Sequence, residues 1–124
     1  MDLIRIEATE ASPFILLDPA GKVEVKGRSI PEDASAFFFP IHDWLEQYTK
    51  HPAAKTTFLF YLEYINSISQ KMLIDIFLRA KELKDAGKDL EIFWYYDEED
   101  EEMYEEGNIF RQKLGLPIQL LIKQ

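Results

Sequence analysis

The stretch TTFLFYLEYINSISQKML, residues 56–73, decides the fold. Its first ten residues, Thr56 to Ile65, are β-branched, aromatic or aliphatic almost throughout, the composition of a strand. The near-continuous apolar run predicts a central strand covered on both faces. Asn66 and Ser67 end it. Beyond them Leu73, Ile76, Phe77, Ala80 and Leu83 recur at helical spacing, which predicts a helix to about Ala86 with Gly87 as its stop.

The same alternation continues on both sides. Upstream, Leu3, Ile4 and Ile6 start one strand, and PFILLD, Pro13 to Asp18, is a second. Pro19-Ala20-Gly21 is a turn, and KVEVKG follows with Val23 and Val25 in strict alternation, which makes an antiparallel hairpin. A helix is expected from near Pro31, because Ser29 and Glu32 have capping-box spacing. Phe37, Ile41, Trp44, Leu45 and Tyr48 share one face of that helix, and Pro40 is expected to kink or split it. Downstream, DLEIFWYY, Asp89 to Tyr96, is a strand. An acidic run leads into a helix ending at Leu114 and Gly115, and PIQLLIK gives a last strand. The order β-β-β-α-β-α-β-α-β predicts one α/β domain over residues 1–124, with a mixed sheet, an N-terminal antiparallel hairpin and three main helices.

Composition narrows the function classes. The chain has no cysteine, so disulfide and thiolate chemistry are excluded. No apolar run reaches the roughly 18 residues of a membrane span, and no signal peptide is recognisable, so a cytoplasmic location is expected. The net charge of −9 repels phosphate backbones and acidic lipid surfaces. Neither nucleic acid nor membrane is therefore an expected partner, and other proteins are.

The strand-to-helix junction YINSISQK, Tyr64 to Lys71, is the most informative segment. In open α/β sheets, sites gather where strands end and helices begin. Ser67 has the chemistry of an N-cap, and Gln70 three residues later completes a capping box. That alone explains both residues, at about 1 kcal/mol for the cap. The helical wheel adds a second reading. Ser69 falls in the core sector with Leu73, whereas Ser67, Lys71, Ile74 and Leu78 fall on the opposite side. An apolar stripe there is either packed by another helix or used to bind a partner. If it is exposed, Ser67 stands at its top, where a phosphate would add about 1.5 to 2 negative charges.

Three stretches carry a family resemblance: IEATEASPFILLD near the start, GRSIPEDASAFFFPIHDWLEQY from Gly27 to Tyr48, and YINSISQKML at the junction. Over nearly its whole length the chain resembles the SiaC-type regulatory phosphoproteins. That family is similar to anti-anti-sigma (STAS-like) domains in architecture and partner-switching logic. The resemblance implies a STAS-like domain that a Ser/Thr kinase phosphorylates and a PP2C-type phosphatase restores. It further implies that the unphosphorylated form binds an effector, a diguanylate cyclase in the best-known system, linked to cyclic-di-GMP and biofilm control. The family's acceptor is a threonine directly after an asparagine. Here Asn66 matches the asparagine and Ser67 the acceptor. The chain departs in having serine there, and in Ile68 and Gln70 where small hydroxyl residues are commoner. Ser69 is thus the alternative acceptor. Asn66, Lys71, Ile74 and Leu78 are the expected partner-binding residues.

No catalytic residue, cofactor or metal site is expected. The acidic residues from Asp97 to Glu106 lack EF-hand spacing and its glycine, and they read as a solvated helix start complementing the dipole. His42 and His51 lack zinc-site spacing. Of Phe37, Phe38 and Phe39, one must leave the shared helical face for a surface or a second packing layer. Two rival functions remain: a STAS-like module that binds a small anion or nucleotide at the helix N-terminus without phosphorylation, and an enzyme with converging carboxylates around the 97–106 segment.

Overall fold

The computed structural model describes residues 1–124. Nine elements follow the expected order: β1 Ile4–Ile6, β2 Phe14–Asp18, β3 Lys22–Ser29, α1 Ala34–Tyr48, β4 Lys55–Ile65, α2 Ser67–Asp85, β5 Asp89–Tyr96, α3 Glu101–Leu114 and β6 Ile118–Ile122. They form one mixed six-stranded sheet in which spatial order equals chain order. β1, β2 and β3 pair antiparallel, and β3 to β6 pair parallel.

This order fixes where the helices lie. Each parallel strand is added beside its predecessor, and right-handed crossovers then place α1, α2 and α3 on the same face. The burial pattern agrees: Ile15, Leu17, Val23, Val25, Phe58, Phe60, Ile92 and Trp94 are buried. Their strand neighbours Leu16, Leu59, Tyr61, Phe93 and Tyr95 are only half-buried. The expectation that β4 is covered on both faces is therefore corrected. Its outward positions are large enough to read as apolar, but they pack only against cross-strand neighbours on an uncovered face.

On that open face Glu24 lies between Lys22 and Lys26, with an ammonium nitrogen 2.9 Å from each carboxylate oxygen. Burial alone would raise its pKa, but hydrogen bonds from Lys26 and Lys22 outweigh this and hold it below the usual carboxylate range. A depressed folded-state pKa stabilises above the ordinary carboxylate pKa, and that stability is lost as pH falls through the folded value. Glu24→Gln is expected to cost about 1 kcal/mol at neutral pH. In urea melts the gap should close as pH falls through and below the ordinary carboxylate range, and a gap constant with pH would contradict the ion-pair account.

α1 differs from expectation in two instructive ways. α1 starts at Ala34, capped by Asp33, whose carboxylate accepts from the Ala36 N–H at 3.0 Å. Ser29 does not cap it, because β3 keeps Ser29 paired with Ile65 in the parallel ladder. Pro40 does not split α1, which is continuous through it with the ring on the exposed side. Phe38 is buried and Phe39 is 69% exposed, which resolves the phenylalanine run. α3 is capped by Asp100, with Glu101 and Glu102 in its first turn, as a dipole-complementing helix start requires.

Candidate functional site

The junction is built by an irregularity in β4. Gly27 pairs with Leu62, but Arg28 pairs with Tyr64, so Glu63 is an extra residue. Such a bulge reverses the inside–outside alternation. Before it Phe58, Phe60 and Leu62 face the helices. After it Tyr64 is 49% exposed, and Ile65 packs against the core.

Asn66 then caps α2. Its side-chain oxygen accepts from the Ser69 N–H at 2.8 Å, and its own N–H donates to the Ser29 carbonyl at 3.2 Å. The cap expected at Ser67 is thus one residue earlier. An Asn side chain reaches the third residue of the helix, which frees Ser67 to be the first helical residue. Ser67 is exposed. The N–H groups of Ser67 and Ile68 have no acceptor within the helix, because first-turn donors never do.

Beneath this surface lies a sealed polar contact. Ser29 and Ser69 are both fully buried. The Ser29 hydroxyl donates to Ser69 Oγ at 2.7 Å, and the Ser69 hydroxyl donates to the Ser29 carbonyl at 2.8 Å. Sequence reasoning missed Ser29. Its one legible trace is that it shares the alternation of the core residues Val23 and Val25, an odd place for a hydroxyl without a partner.

The remaining expected residues divide. Lys71 and Leu78 are exposed on the outer side of α2, Leu78 at 43%. Ile74 is half-buried and turns toward α3, where it lines a groove with Gln70, Glu106, Ile109, Phe110 and Leu114. Leu78 lies on the α1 side with His42, Asp75, Arg79 and Glu82. The stripe is therefore part packed and part free.

Where the strands end, Glu63, Asp100, Glu102 and Glu106 line a groove between the starts of α2 and α3. Burial raises the Glu106 pKa above the usual carboxylate range, against the opposing pull of Gln70 and Lys113. Glu98, Glu99 and Glu105 stay exposed. No helix is long and apolar enough to cross a membrane.

Residues 6–123 match the model of the SiaC family regulatory phosphoprotein. The chain belongs to the SiaC family. A curated, uncharacterized protein of Pseudomonas aeruginosa (strain UCBPP-PA14) is 28% identical over 118 residues, covering 94% of each chain. The apo-SiaC structure from Pseudomonas aeruginosa matches with a TM-score of 0.87 at 26% identity, over 100% of both chains. SiaC of Pseudomonas aeruginosa is also solved in complex with the diguanylate cyclase SiaD, of which it is the activator. That match has a TM-score of 0.90 at 26% identity and covers 97% of this chain and 99% of the other. The chain thus shares the fold of the solved SiaC structures and belongs to a family of regulatory phosphoproteins.

Proposed function

We propose that this chain is the phosphorylation-controlled activator of a bacterial partner-switching module. A Ser/Thr kinase phosphorylates Ser67, and a PP2C-type phosphatase removes the phosphate. The unphosphorylated form binds a cytoplasmic diguanylate cyclase, which ties the switch to cyclic-di-GMP and biofilm control. The chain itself is not a catalyst. Asn66 sets the turn, and Lys71, Ile74 and Leu78 belong to the docking face.

One observation carries the choice of acceptor. Ser67 is exposed on the first turn of α2, whereas Ser69, two residues on, is fully buried and hydrogen-bonded to Ser29. A kinase reaches the first hydroxyl in the folded protein and the second only after local unfolding. The family membership and the solved cyclase complex of a relative support the regulatory role. A phosphate on Ser67 also suits the fold. The helix dipole and the free N–H groups of the first turn favour negative charge there, so modification leaves the domain folded.

Incubation with the cognate kinase and mass-spectrometric mapping tests this. Phosphate is expected on Ser67 and absent from Ser67→Ala. Modification of Ser69 or of another region would refute the assignment.

A further inference from the structure

We infer that the effector's docking surface crosses from α2 onto α1, centred on Phe39 and Ile68, and takes a partner segment whose apolar side chains are flanked by basic ones. This inference rests on the effector-binding reading above.

The packing of the two helices places the pair. α1 and α2 both connect neighbouring parallel strands in the same direction, so the helices run parallel to each other, and they pack together. Their relative level is fixed by His42 Nε2, 3.1 Å from the carbonyl of Met72. One turn earlier on each helix stand Phe39, three residues before His42, and Ile68, four before Met72. Ile68 lies on the flank of α2 that faces α1, and Phe39 lies on the outer side of α1 at the same level. Phe39 is 69% exposed and Ile68 52% exposed. Two large apolar side chains at one level of two packed helices, both open to water, are a surface that a soluble chain keeps for contact. Exposed Ala36 and Pro40 extend it along α1.

Charge identifies the occupant. The chain carries −9 overall, and on the α1 and α2 surfaces around the apolar pair four exposed carboxylates, Glu32, Asp33, Asp43 and Asp75, outnumber the one exposed lysine, Lys71. A partner that presents apolar side chains ringed by Lys or Arg satisfies both features, whereas a second copy of this acidic chain does not. Ser67 adjoins Ile68 on the rim. A phosphate there must be stripped of water beneath the partner's apolar side chains, which explains release without any movement of the domain.

Binding of the diguanylate cyclase from the same genome, measured by calorimetry with the full chain, tests this. Phe39→Asp and Ile68→Asp are expected to weaken binding by tenfold or more, and Phe39→Leu and Ile68→Val to retain it. Circular dichroism melts should match the parent, because both positions are exposed. All four variants should still accept phosphate on Ser67. Raising salt from about 50 to about 500 mM should weaken parental binding. If the parent binds and Ser67→Asp does not, but both aspartate variants at 39 and 68 bind like the parent, this docking surface is wrong and the switch stands. Binding unaffected by salt would overturn the basic flank. No binding by the parent would overturn both readings.

Discussion

Ser67→Asp is expected to lower affinity for the diguanylate cyclase by about tenfold or more, and Ser67→Ala to leave it within about twofold. The asymmetry follows from where the hydroxyl sits. Ser67 does not cap α2, because Asn66 makes the bond to the Ser69 N–H. Removing the Ser67 hydroxyl therefore breaks no internal hydrogen bond of the cap, and alanine is a good helix residue. Aspartate in the first turn is equally acceptable to the helix, since it complements the dipole. Neither variant should melt lower than the parent by more than about 2 °C. The loss of binding on charge insertion is then a property of the interface alone. Isothermal titration of the three proteins against the cyclase separates the cases. Equal affinity for Ser67→Asp and the parent would remove the charge-based switch.

A second large effect is expected in the core beneath α3. Gly107→Ala should destabilise the fold by about 2 to 3 kcal/mol, or about 10 °C in melting temperature. Gly107 lies inside α3, where alanine would ordinarily gain nearly 1 kcal/mol. A methyl group at Gly107 would instead meet Trp94 Cδ1 at 2.5 Å, Nε1 at 2.6 Å and a Leu120 methyl at 2.8 Å. Trp94 cannot retreat. It is fully buried, its Nε1 donates to the Met103 carbonyl at 2.9 Å, and its ring packs against Phe60, Phe77 and Phe110. Thermal denaturation of Gly107→Ala decides the matter. A melting temperature equal to or above the parent's would mean that helix propensity outweighs the clash.

The parts of the molecule legible in the sequence are those governed by periodicity. Every element, its type and its order followed from alternation in the strands and from the 3.6-residue repeat, and the core face of α2 was readable down to Ser69. What escaped depends on partners distant in the chain. Ser29 looked like a cap for α1 because Glu32 follows at the right spacing, yet its pairing with Ile65 claims it for β3. The one-residue shift between Asn66 and Ser67 was invisible for a related reason. Both are good caps, and the bulge at Glu63 decides which of them the strand delivers to the helix. The open face of the sheet was also hidden, since Leu59 and Tyr61 carry the same letters whether covered or half-exposed. That Phe39 and Ile68 stand at one level follows only once α1 and α2 are set by the His42–Met72 hydrogen bond.

The most direct test is to titrate the cyclase with the chain phosphorylated stoichiometrically on Ser67, then again after a PP2C-type phosphatase has stripped it. The account predicts weak or undetectable binding in the first titration and full recovery in the second, with the same far-ultraviolet circular dichroism in both forms. Indistinguishable affinities before and after dephosphorylation would contradict it.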